Sequence, residues 1–150
     1  MARLERIWLK RAHRGPMDPI NSAILDAGRG LRGNANYDGR RHVTIITVER
    51  WAELLEELST TIDPATRRAN LLVSGLDLEN TRGRSLVLGG CVLRIGGETR
   101  PCERMEQSLP GLRAAMEVRW GGGAWAEVVK GGEIAVGDHV TWEPAIALLG

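Results

Sequence analysis

The sequence predicts a mainly β protein: a closed or partly closed β-barrel with a few short helices. Three observations carry this. Apolar runs are short and often β-branched. Glycine is abundant, with 19 residues concentrated between those runs. Just one long stretch has strong helical periodicity. Gly-rich links between short strands are the mark of tight turns in β structure, and closure removes the exposed edges an open sheet would leave. An α+β sandwich is the second reading.

In chain order, Leu4 to Leu9 reads as a first strand with Leu4, Ile7 and Leu9 facing the core. Lys10-Arg11-Ala12-His13-Arg14-Gly15-Pro16 follows as a basic loop, readable as an anion site or as a solvated turn. Ile20 to Ala27 is a second strand or irregular β segment. Gly28-Arg29-Gly30-Leu31-Arg32-Gly33-Asn34 is a turn; its spacing does not match a phosphate loop. Val43 to Thr47 is a β-branched strand. Glu49 to Leu58 is the clearest helix, with Trp51, Leu54, Leu55 and Leu58 on one stripe and the glutamates mainly off it.

Asp63-Pro64 opens a turn reaching Arg67, and Asn70 to Ser74 is the next strand. Ser85 to Leu88 and Cys91 to Ile95 form a hairpin about Gly89-Gly90. Glu103 to Leu109 and Leu112 to Val118 are short helices. Gly121-Gly122-Gly123 is a sharp turn before the strand Ala124 to Lys130. Gly131 to Trp142 reads as a closing barrel strand pair, its turn set at Asp138.

A chain of 150 residues is expected to be a single domain spanning 1–150. With 20 basic and 19 acidic residues, the charge balance argues against a domain-wide nucleic-acid surface. No apolar run is long enough to span a bilayer, and the N-terminus lacks the apolar region of a secretory signal, so a cytoplasmic location is expected. Two cysteines are too few for a disulfide framework, and in a reducing cytosol both are expected as free thiols.

Cys91 falls inside a strand and reads as a core residue. Cys102 lies on a corner fixed by Pro101 and bracketed by Arg100 and Arg104. Positive charge nearby favours thiolate, the form that attacks or binds metal. A nucleophilic mechanism needs a positioned base, which the sequence does not reveal. Metal ligation needs one thiolate and an organic cofactor supplying the remaining ligands.

Arg68-Ala69-Asn70-Leu71, Val73-Ser74-Gly75-Leu76-Asp77-Leu78, Leu86-Val87-Leu88-Gly89, Pro101-Cys102, Val128-Val129, Gly132-Glu133-Ile134 and Val136-Gly137-Asp138-His139-Val140 form an ordered set. In order and spacing this set resembles the MOSC domain, named for the C-terminal part of molybdenum cofactor sulfurases. Gly30-Leu31-Arg32-Gly33 and Val43-Thr44-Ile45-Ile46 fit the family's N-terminal half.

The resemblance implies a barrel like that of the pyruvate kinase barrel domain, and binding of the pterin molybdenum cofactor (molybdopterin). It implies Cys102 as the molybdenum ligand and catalytic residue, and Arg68 and Asn70 as cofactor-binding residues. Lys10 or Arg11 lies where a basic residue contacts the cofactor in some relatives. Asn34 departs from the family's usual Asp after Gly-x-x-Gly. These 150 residues contain neither a pyridoxal-phosphate desulfurase domain nor the extra β domain of the amidoxime-reducing relatives, so sulfurase activity by this stretch alone is not expected.

Three functions follow as expectations. The first is a reductase of N-hydroxylated or related small molecules, fed electrons by a partner protein. The second is a carrier of cofactor, or of persulfide sulfur on Cys102, serving a sulfur-transfer partner. The third is a β-barrel interaction module with an incidental cysteine.

Overall fold

The computed structural model describes residues 1–144, and its elements are mainly β. The strands are β1 (Arg3–Lys10), β2 (Met17–Ile20), β3 (Ser22–Asp26), β4 (Gly30–Leu31), β5 (Val43–Thr47), β6 (Leu71–Ser74), β7 (Ser85–Leu88), β8 (Cys91–Glu98), β9 (Ala124–Lys130), β10 (Gly132–Ala135) and β11 (Val140–Trp142). The helices are α1 (Val48–Glu57), α2 (Glu103–Ser108) and α3 (Leu112–Met116), with a 3-10 turn at Pro64–Arg67.

Eight strands form one sheet in the order β11-β7-β8-β9-β5-β6-β1-β2, and β10-β3-β4 form a second. Among the described residues no ladder closes either sheet into the expected closed or partly closed barrel. Near the ends, β1 meets the segment before β11 through a bridge, Arg3 with His139, backed by Leu4 N–H donating to Asp138 O and Gly137 N–H donating to Leu4 O. The predicted closing pair also separates: β10 pairs with β3 and β11 pairs with β7. The turn chemistry there is as expected, since Asp138 accepts from Ala135 N–H at 2.8 Å, but the turn leads from one sheet to the other.

Alternation decides the packing. On β5, Val43 and Ile45 are buried in the main core, and Ala124, Ala126 and Val128 of β9 meet them there. Trp125 and Glu127 point to the opposite face of β9. A second cluster, Trp8, Ile46, Ala69 and Leu72, packs on the other face of the sheet. Helix α1 is capped by Thr47, whose Oγ1 accepts from Arg50 N–H at 3.1 Å. Its Trp51 and Leu54 pack on α2 and α3 through Met105, Leu112 and Met116.

The glycine run before β9 places the backbone where no side chain fits. A Cβ on Gly123 would run into the Ile45 carbonyl, at a φ of 94°, and one on Gly122 into the Thr99 carbonyl. The entry of β9 therefore lies flush against β5 and the end of β8. That junction borders the cleft described next.

Candidate functional site

The 3-10 turn is started by Asp63, which accepts from Ala65 N–H at 2.8 Å, and ended by Arg68 in the left-handed region (φ 64°). This reversal buries Ala69, feeds Asn70 into the sheet and leaves two consecutive guanidinium groups above it. Arg67 Nε donates to Gly122 O at 2.9 Å, and Arg67 Nη2 to Thr99 O at 3.2 Å and Arg100 O at 3.4 Å. Arg67 thus joins the end of β8 to the glycine run. Arg68 Nη2 donates to Gly15 O at 2.6 Å and holds the basic loop after β1.

Between these groups is an open cleft of about 190 Å3, lined by Arg41, Thr44, Arg67, Arg68, Ala69, Thr99, Arg100 and Gly122. It has four arginines and no carboxylate. None of the four is ion-paired among the described residues, whereas Arg3, Arg6, Arg11, Arg29, Arg32, Arg50, Arg113 and Arg119 all are. Burial lowers the pKa of Arg67, opposed by the nearby Cys102. Arg68 is lowered by burial and then by Arg104. Lys10 is lowered by burial, then by Arg68 and Arg104. Lys10, Arg68 and Arg104 thus repel one another beside the cleft, which no carboxylate lines. An anion in the cleft would relieve this repulsion, and Arg forks suit oxyanions bidentately.

The predicted site residues divide. Arg68 lines the cleft, and Lys10 is close enough to feel its charge. Arg11 is turned to Asp18 in an exposed ion pair at 3.0 Å. Asn70 is buried, and its amide is fully engaged. Its Oδ1 accepts from Thr44 N–H at 3.1 Å and Thr44 Oγ1 at 3.3 Å; its Nδ2 donates to Trp8 O and to Asn34 Oδ1, both at 3.2 Å. It pins β1, β5 and the loop carrying Asn34 beneath the cleft. Cys102 is exposed at the start of α2, two residues beyond Arg100. Arg67, Arg41 and Arg100 were not singled out as binding residues. The available signals were the Arg67-Arg68 doublet and the bracketing of Cys102 by arginines.

Asn34 adds one buried donor. Its Oδ1 also accepts from Lys10 N–H at 3.0 Å, so its amide orientation is fixed, and Nδ2 has no partner among the described residues. The two thiols contrast. Cys91 is fully buried, and burial, followed by Asp138, raises its pKa against a smaller effect of Lys130. Alkylation of the native protein is expected to label Cys102 and spare Cys91; peptide mapping checks this, and preferential label on Cys91 would refute it.

Gly122→Ala is expected to damage cleft and fold together. The new methyl would meet the Thr99 carbonyl and lie 3.1 Å from Arg67 Nη2. Overpacking of this kind costs roughly 1–3 kcal/mol. A thermal melt with a parallel anion titration should show lower stability and weaker binding.

Among the described residues, no group of three or more His, Cys, Asp or Glu side chains could hold a metal by itself, and no helix is long and apolar enough to cross a membrane.

The fold and cleft define a small β-rich domain with an arginine-lined, cationic cleft. The MOSC domain model matches residues 11–141, and the chain belongs to that family. Among solved structures it is similar to the YUAD protein from Bacillus subtilis (21% identity, TM-score 0.78, covering 93% of this chain and 94% of that one). It is also similar to YiiM from Geobacillus stearothermophilus (15%, TM-score 0.74, covering 96% and 76%) and YiiM from Escherichia coli (15%, TM-score 0.71, covering 95% and 70%). At these identities the likeness is one of fold. No curated protein matches the chain.

Proposed function

We propose that the protein binds the pterin molybdenum cofactor in the arginine cleft and serves as a redox module. It would reduce N-hydroxylated or related small molecules with electrons from a partner protein. The observation that carries this reading is the set of four arginines, none ion-paired among the described residues, around one cleft; the exposed Cys102 is not a lining residue but follows the lining Arg100 by two positions.

The donor set fits the group. Arg67, Arg68 and Arg100 would hold its phosphate, and Lys10 would add charge. Asn70 would position these groups through the backbone it pins. The free Nδ2 of Asn34 supplies a buried donor in the layer below. Cys102 offers the soft sulfur that molybdenum accepts. When bound, the cofactor supplies the two-electron redox chemistry, and the protein's contribution is binding, orientation and electronic tuning.

The alternative is a carrier of cofactor, or of persulfide sulfur on Cys102. The exposure of Cys102 favours it, because a thiol on a surface corner can be reached by a partner protein. The two separate in one assay. Loaded protein is given a supplied electron chain and an N-hydroxylated base. Turnover that needs Cys102 supports the reductase; retained cofactor without turnover supports the carrier.

A further inference from the structure

The outer face of β8 and β9 carries a second cationic cleft, separate from the first and not used by the reading above. It has a volume of about 340 Å3, and Arg40, Arg82, Arg94, Trp125 and Glu127 line it with Gly96. Trp125 lies flat on the strand beneath: a Cβ on Gly96 would collide with its ring, and Gly97 also leaves room for it. Over the ring stand the guanidinium carbons of Arg40 and Arg41, at 5.8 and 5.7 Å from its centroid. A guanidinium held over an indole uses its face for the ring and leaves its in-plane N–H donors free for an oxyanion.

Arg40, Arg82 and Arg94 have no ion-pair partner among the described residues, although Glu127 lies in the same cleft. Three arginines against one carboxylate leave a cationic excess, with Arg41 at the edge. The two clefts are also neighbours. Trp125 of the second pairs across β5–β9 with Thr44 of the first, and Arg41, which lines the first cleft only, stands over the Trp125 ring.

We propose that the Trp125 face is a second anion-binding site, built for a phosphate group of a phosphorylated small molecule. Arg82, Arg94 and Arg40 would donate to the phosphate oxygens, and Trp125 would fix the height and tilt of the guanidinium layer. Its donors are distinct from those of the first cleft, so it should fill independently.

The test is a titration of the ligand-free protein with inorganic pyrophosphate at constant ionic strength, read at the Trp125 indole N–H resonance. That resonance is assigned by its disappearance in Trp125→Phe. The expected result is a saturable shift in the parent, at least tenfold weaker in Arg82→Ala/Arg94→Ala and unchanged in Arg68→Ala. No saturable shift in the parent, a shift that persists in the double variant, or equal loss in Arg68→Ala would each overturn the proposal. The last outcome would mean that the ion senses only the summed field of the patch. Circular dichroism of each variant identifies any that fails to fold; then Arg82→Gln/Arg94→Gln replaces the alanine pair.

Discussion

Cys102→Ser is expected to cut turnover by about a hundredfold or more, roughly 2.7 kcal/mol of barrier, while the fold and most cofactor retention survive. Serine keeps the size of the side chain but replaces a soft, ionisable sulfur by a hard oxygen that keeps its proton near neutral pH. Fold retention follows from position. Cys102 is exposed, makes no side-chain capping bond to α2, and the residues around it are held by Pro101, Met105 and the Arg67 contacts to Thr99 and Arg100. Arg68→Ala should show the opposite pattern. It removes a charge-assisted interaction of about 1.5–3 kcal/mol, or roughly ten- to a hundredfold in affinity, and so should lose cofactor first. Molybdenum content and turnover of both purified variants check this. Unchanged turnover in Cys102→Ser would remove the ligand role and favour the carrier.

Asn70→Ala is expected to be the most destabilising substitution near the cleft. Four hydrogen bonds converge on this buried amide, from three separate segments. Truncation leaves Thr44 N–H and Trp8 O short of partners in a dry layer. The cost should be roughly 3 kcal/mol, or a fall of about 6–12 °C in Tm for a chain of this size. Since Asn70 pins the layer that carries Arg68, anion affinity should fall as well. Thermal unfolding monitored by circular dichroism measures the first effect. A melt unchanged from the parent would show that Asn70 acts on the ligand directly instead of through the fold.

The features legible in the sequence are those that depend on local pattern. Val43–Thr47 is marked by its β-branched run, and Ser85–Leu88 and Ala124–Lys130 by apolar residues beside turn glycines, and the structure has these strands at the expected bounds. The different environments of Cys91 and Cys102 were legible for the same reason: one is in a strand, the other on a proline corner. What was not legible depends on long-range pairing. Arg41, Arg67 and Arg100 share a cleft because β5 pairs with both β6 and β9, and β9 with β8. No local signal reports that order. The strand Cys91–Glu98 continues through Gly96-Gly97, where the sequence suggested an end, because Trp125 covers the glycines from the next strand. The fate of the last two strands was likewise decided by which partner edge was free, and alternation alone does not encode it.

The central claim is that the arginine cleft holds the molybdenum cofactor. Its most direct test is the molybdenum and pterin content of the protein purified from a cofactor-producing host, beside an Arg67→Ala/Arg68→Ala variant with a matched circular dichroism spectrum. Parent protein is expected to carry both in equal amounts, and the variant to lose them together by at least about tenfold, the lower bound set by one lost charge-assisted bond. Parent protein with neither component, or a folded variant that retains both in full, would contradict the claim.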